Sequence, residues 1–311
     1  MERIICVVGP TASGKTALAV ELAKALDGEV IGCDSMQIYR RLDIGTAKPT
    51  AAETRGVPHH MIDIVEPSES YSAARYVADA TAVAEEMLSR GKMVILAGGT
   101  GLYMDAFIQG LDFSTAENHG IIRVRLENLY DRFGGERMHR LLERLDSGSA
   151  AKIHPNDKKR VVRALEIVFS GERKSAHDEL TKQRPPRFDA LKIGITCDDR
   201  AELYRRIDLR VDAMLEQGLL DEVRMLKDMP AATAAQAIGY KELMPALDDM
   251  SLMPECVETL KRNSRRYAKR QLTWLRRDES TIWFYRDRED FGSIVAKATE
   301  FAKDFLYNQP E

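Results

Sequence analysis

Disulfides, zinc fingers and membrane spans all lack raw material in this 311-residue chain. Its four cysteines, Cys6, Cys33, Cys197 and Cys256, lie far apart, and none makes a C-x-x-C pair. Three sit in apolar runs (ICVV, VIGC, IGITC) and are expected to be buried free thiols in a reducing compartment. No run approaches the ~18 apolar residues of a membrane span. The apolar stretch after Met1-Glu2-Arg3 is too short for a secretory signal, so a cytoplasmic, membrane-free protein is expected. His59-His60 and the scattered His119, His139, His154 and His177 show no metal-ligand spacing and read as structural or surface residues. Excess charge is also missing. With 46 Lys+Arg against 49 Asp+Glu the formal net charge is −3, which excludes a uniformly basic coat but not a local basic face.

What is present is a strand–helix rhythm. Residues 3–8 (RIICVV), 29–33 (EVIGC) and 93–97 (MVILA) read as buried strands, and 15–26 and 72–90 carry helical spacing. Such alternation builds a parallel sheet with right-handed crossovers. Residues 121–180 are dense in Arg, Glu and Leu and read as helices. The sheet signal returns at 191–197 (LKIGITC), helices follow over 200–216, 219–229 and 254–277, and 281–285 (TIWFY) adds a last strand before a helix at 290–307.

Gly9-Pro10-Thr11-Ala12-Ser13-Gly14-Lys15-Thr16 matches G-x-x-x-x-G-K-[ST] between the first strand and the first helix. Backbone N–H groups and the helix N-terminus can cradle phosphate oxygens there. Lys15 adds charge, and Thr16 can offer a hydroxyl to Mg²⁺. A chance match in such a chain has odds on the order of one in a hundred. The fold class expected is therefore α/β, a P-loop NTPase-like parallel sheet flanked by helices. Its core would span 1–113 and 190–311, interrupted by a helical insertion domain at 114–189.

Asp34-Ser35-Met36-Gln37 follows the second strand, where open parallel sheets bind ligands. Asp34 reads equally as a metal or water ligand, as a general base, or as an Asx-turn residue. Ser35 and Gln37 can read a base edge. Gly98-Gly99-Thr100-Gly101 repeats the arrangement after the strand MVILA. Residues 261–277 (KRNSRRYAKRQLTWLRR) hold eight Lys/Arg and no acid. A solvated face usually mixes signs, so this helix is expected to meet a polyanion. Lys158-Lys159-Arg160 with Arg163 forms a second basic cluster.

GPTASGKT, DSMQIYRRLDIGTAKP, HHMIDIV, GGTGLY, KKRVVRALE, AIGYKE and KRQLTWLRR occur in that order. Through these segments the sequence resembles the tRNA dimethylallyltransferases, or tRNA isopentenyltransferases, of the bacterial type without a C-terminal zinc finger. The resemblance implies transfer of a dimethylallyl group from dimethylallyl diphosphate to the exocyclic amine of adenosine 37 in tRNA, with Mg²⁺ as cofactor and diphosphate released. It implies diphosphate or nucleotide binding by Gly9, Pro10, Thr11, Ala12, Ser13, Gly14, Lys15 and Thr16, with Thr16 toward the metal. Asp34 becomes the general base, and Thr100 and Arg210 lie by the reacting centre. Contacts to the tRNA anticodon arm are implied for Asp34, Ser35, Met36, Gln37, Thr100 and Arg123, for Lys159, Arg160, Val161, Val162 and Arg163, and for Lys269, Arg270, Gln271 and Arg276. A monomer is expected. The alternatives that the residues alone leave open are a P-loop small-molecule or nucleoside kinase and an RNA-binding NTPase switch.

Overall fold

A computed structural model of the chain describes residues 1–111, 120–171, 185–227, 229 and 233–307. These form two compact units, one of residues 1–108 and 187–311, the other of 109–186.

The first unit is built on six strands, all parallel, in the order β3-β2-β4-β1-β5-β6. They are β1 (Glu2–Val8), β2 (Gly28–Cys33), β3 (His59–His60), β4 (Met93–Gly98), β5 (Phe188–Thr196) and β6 (Ile282–Tyr285). Strand β1 lies in the middle and buries side chains on both faces. Ile4, Cys6 and Val8 pack with α3 (Ala73–Ser89) and α4 (Gly101–Gln109) through Tyr76, Met87 and Phe107. Ile5 and Val7 pack against α1 (Lys15–Ala25) and the final helix through Leu18, Leu22, Ile294 and Ala298. Each such aliphatic side chain contributes ~1.5–3 kcal/mol by leaving water, which is why the strand reads as one apolar run. All four cysteines are buried and unpaired, and burial pushes the Cys6 thiol up to about 12.

The apolar segment HMIDIV gives only a two-residue strand. Met61 and Asp63 take left-handed backbone conformations (φ 61° and 57°) that end the ladder. α2 (Ala51–Thr54) is a single turn held by a Thr50–Glu53 capping box. A third hydrophobic cluster joins Ile38, Tyr39 and Leu42 to α9 (Arg200–Glu216), α10 (Leu219–Lys227), α11 (Tyr240–Asp248) and α12 (Met253–Leu275). α13 (Phe291–Tyr307) closes the chain.

The second unit contains α5 (Gly120–Phe133), α6 (Gly135–Leu145), α7 (Ser147–Ala150) and α8 (Lys158–Phe169). It has its own core of Leu126, Met138, Leu142, Val161, Val162 and Leu165. His139 Nε2 meets two backbone carbonyl oxygens and His60 pairs with Glu29, so both are structural; His119 and His177 lie outside the described residues.

Candidate active site

Parallel strands deliver their C-terminal ends to one edge of the sheet, and four loops at that edge carry the chemistry. β1 leads into residues 9–14, β2 into Asp34, β4 into Gly99-Thr100, and β6 into Arg286. A cleft of about 450 Å³ opens there, lined by Thr11, Lys15, Thr16, Asp34, Ser35, Met36, Gln37, Arg210, Tyr267, Arg270 and Gln271.

The P-loop has the form of an anion cradle. Gly14 is the N-cap of α1 at φ 98°, a left-handed conformation suited to glycine, and no side chain caps the helix. The first N–H groups of α1 therefore remain available to an anion, with the helix dipole behind them. The Ser13 hydroxyl is buried without a partner among the described residues. Lys15 Nζ donates to Pro10 O at 2.8 Å. Burial, then the nearby Arg210 cation, lower the Lys15 ammonium to about 8, while Asp34 works the other way. Arg210 Nη1 donates to Thr11 Oγ1 at 3.3 Å; burial lowers its pKa, and Glu53 and Asp34 oppose this.

Two further cations are not singled out by sequence motifs. Arg206 Nε donates to Ala12 O at 3.0 Å, and Arg286 lies so close that a Cβ on Gly14 would sit 3.0 Å from its Nη1. Arg206 precedes Arg210 by one helical turn, so the i, i+4 spacing carries a signal for it. Arg286 follows a strand at the ligand-binding edge, which is the clue that the sequence holds for it.

On the other side of the cleft, Asp34 Oδ1 accepts from Met36 N–H at 2.9 Å, an Asx turn. Oδ2 has no hydrogen-bond partner among the described residues. The turn reading is met, and it is compatible with the expected base role: one oxygen fixes the carboxylate and the other is uncommitted. Thr100 Oγ1 accepts from Ser35 N–H at 3.1 Å and also meets the Tyr267 hydroxyl. Burial, then the Asp34 charge, raise the pKa of that phenol. Gln37 spends both amide hydrogens on Thr46 O and Ala47 O, which leaves its carbonyl oxygen for a base edge. Glu222 receives the N–H groups of Asp43, Ile44 and Gly45 and the Tyr240 hydroxyl, and so holds the loop that supplies Gly45, Thr46 and Ala47 to the cleft wall.

Along α12 and just past its end the charges form a stripe. Arg262, Arg266, Lys269, Arg270, Arg276 and Arg277 are exposed, whereas Leu260, Ser264, Ala268, Gln271 and Leu275 are buried. Arg265 and Lys261 pair with Asp208 and Asp212, whereas Arg266, Lys269, Arg270, Arg276 and Arg277 have no ion-pair partner among the described residues. Gln271, expected at the tRNA, is turned away from the exposed stripe. It points inward, accepting from Thr11 N–H at 2.9 Å and donating to Gly99 O at 3.1 Å. In the helical unit, Arg123 is exposed and paired with Glu127, Lys159 and Arg160 are exposed, and Arg163 pairs with the buried Glu166. Val161 and Val162, also expected at the tRNA, lie inside the unit. Their side chains are 0% and 1% exposed and fill that unit's core, because α8 turns its apolar face inward, so the side chains open to solvent in this motif are those of Lys159 and Arg160.

Known proteins resemble the chain along most of its length. The model of the IPP transferase family matches residues 37–278. The tRNA dimethylallyltransferase of Acetivibrio thermocellus is 44% identical over 305 residues, covering 97% of both chains. That of Bacillus velezensis is 48% identical over 285 residues, 90% of each. The full-length tRNA isopentenylpyrophosphate transferase of Bacillus halodurans superposes with a TM-score of 0.72 at 44% identity, covering 97% of this chain and 96% of that one. A eukaryotic dimethylallyltransferase captured acting on tRNA gives a TM-score of 0.83 at 30% identity, covering 100% and 81%. With a match that runs from Gln37 through the basic helix, and relatives alike along almost their whole length, the chain belongs to the IPP transferase family.

Proposed function

We propose that the protein transfers a dimethylallyl group from dimethylallyl diphosphate to the N6 amine of adenosine 37 in tRNA and releases diphosphate. The observation that carries this reading is the juxtaposition, in one cleft, of a phosphate cradle with a carboxylate that keeps one oxygen free. Family membership selects prenyl transfer over the kinase and NTPase-switch alternatives.

An adenine amine is a weak nucleophile, since its lone pair is delocalised into the ring. Asp34 Oδ2 takes its proton as the C–N bond forms. The allylic C–O bond breaks at the same centre, and the electron pair leaves with diphosphate. Negative charge then builds beside Lys15, Arg210 and the N-terminus of α1, where fixed donors stabilise it most. Ile207, Val211, Met214, Ile238 and Leu260 line the same cleft and suit a branched apolar chain. The target base leaves its stack to enter. Tyr267 and Thr100 stand where it would arrive beside Asp34.

The donor set fits a hard cation that keeps most of its ligands as water and phosphate oxygens. Among the described residues no cluster of three acidic, His or Cys side chains occurs, and Thr16 and Asp34 both line the cleft. Mg²⁺ held by Thr16 would supply Lewis acidity to the leaving diphosphate. The exposed stripe on α12 and, in the helical unit, Arg123, Lys159 and Arg160 supply cations for the tRNA backbone. No helix among the described residues is long and apolar enough to cross a membrane. We place the work in the cytoplasm, with the tRNA.

Incubation with labelled dimethylallyl diphosphate, tRNA and Mg²⁺ is expected to label tRNA without consuming ATP. ATP, recognised only by its phosphates, is expected to bind weakly. Stoichiometric ATP hydrolysis coupled to product formation overturns the proposal in favour of a kinase.

A further inference from the structure

Gln271 is 5% exposed, and its one amide joins two loops that are far apart in sequence. Its Oε1 accepts from Thr11 N–H at 2.9 Å, and its Nε2 donates to Gly99 O at 3.1 Å. The partners fix which end is which, since an N–H needs the oxygen and a carbonyl needs the nitrogen. Each loop leads to a different half of the cleft. Thr11 Oγ1 accepts from Arg210 and belongs to the phosphate cradle. The residue after Gly99 is Thr100, whose Oγ1 holds Ser35 N–H, next to Asp34. The fit is close: a Cβ on Gly99 would lie 2.0 Å from Gln271 Nε2.

We infer that Gln271 is a positioning residue for the transfer reaction, setting the spacing between the leaving-group side (Thr11, Arg210) and the acceptor side (Thr100, Asp34). The inference rests on the prenyl-transfer reading. Transfer demands reacting atoms about 3–3.5 Å apart, and a misplacement of about 1 Å costs ~10²-fold in rate. Each half binds its own substrate through other groups. Loss of the bridge is therefore expected in kcat and not in either affinity.

Two variants test this. Gln271→Met keeps length and bulk and removes both hydrogen bonds. It is expected to lower kcat about 10–100-fold, with the KM for dimethylallyl diphosphate and the Kd for tRNA within about threefold of wild type. Gln271→Glu supplies a readout that a purely structural role would not move. Its protonated carboxyl can accept from Thr11 and donate to Gly99, whereas its carboxylate repels the Gly99 carbonyl. Its kcat relative to wild type is expected to rise as pH falls, while the Gln271→Met ratio stays flat. Exchange of the Thr11 amide hydrogen, faster in Gln271→Met, reports the bridge independently of turnover. If the wild-type chain transfers no prenyl group, the functional reading fails. If it does, and Gln271→Met matches its kcat or Gln271→Glu shows a flat ratio, the assignment of Gln271 fails.

Discussion

Lys15 donates to the carbonyl of Pro10 across its own loop at 2.8 Å, while burial and the neighbouring Arg210 cation bring its ammonium to about 8. The group that should attract the donor's phosphates is thus near its titration point in mildly alkaline solution. Bound diphosphate favours the charged amine, so affinity is full below that value and falls above it. The Kd of dimethylallyl diphosphate is expected to weaken up to about tenfold per pH unit above about 8, by proton linkage. Calorimetric titration from about one unit below that value to about one and a half above it checks this; a flat Kd across that range excludes it. In Lys15→Ala the donor KM should rise and kcat should fall together, because the charge acts more strongly on the departing diphosphate.

Asp34→Ala is expected to reduce kcat by ~10²–10⁴, the usual cost of losing a general base. Its tRNA affinity should stay within several-fold of wild type, since Oδ1 serves a local turn. Single-turnover kinetics beside a filter-binding titration separate the two effects. Turnover at the wild-type rate would remove Asp34 from the chemistry.

The exposed stripe of α12 can be tested through salt. Replacing Lys269, Arg270 and Arg276 with Ala should weaken tRNA binding. The slope of log K against log salt should become shallower by roughly 0.7–0.9 for each phosphate that is no longer neutralised. An unchanged slope would make the stripe a solvated surface.

A stability prediction concerns the edge of the sheet. Glu29 on β2 accepts two hydrogen bonds from Arg90, at 2.6 and 2.9 Å, and sits 2.7 Å from His60 Nε2. The hydrogen bonds from Arg90, opposed by burial and joined by His60, lower its carboxyl from 4.5 to about 2. A depressed carboxyl stabilises the fold above its unfolded value and loses that contribution as pH falls through the folded one. Wild type should therefore exceed Glu29→Gln in urea resistance at neutral pH, and the gap should close between about 4.5 and about 2. A gap independent of pH would contradict the assignment.

The sequence displays the parts of the site that are local. The P-loop is contiguous, and its shape follows from Gly14 and a strand–helix junction. Asp34 and Thr100 are visible because they closely follow apolar strands. Arg286 and the inward turn of Gln271 are hidden because their partners lie hundreds of residues away, and proximity of that kind comes from strand order. The run HMIDIV is mostly apolar, but the left-handed backbone at Met61 and Asp63 cuts the strand to two residues. Val161 and Val162 sit inside a basic motif, yet helical periodicity turns them to the core while Lys159 and Arg160 face outward. Helix α11 is obscured by its internal Pro245 and by its start on Gly239.

The pairing of β1 with β5 aligns Glu2 with Phe188 and Val8 with Gly194. The strands in the order β3-β2-β4-β1 all come from the first 98 residues, so β1 is the outermost strand of the nascent sheet until β5 is made. At about 5–20 residues per second, a ribosome leaves that apolar edge open for roughly ten seconds. The helical segment synthesised in the interval has its own core and can fold meanwhile. The birth of this protein thus includes an interval with one edge of a hydrophobic strand unpaired, the interval in which chaperone cover matters most.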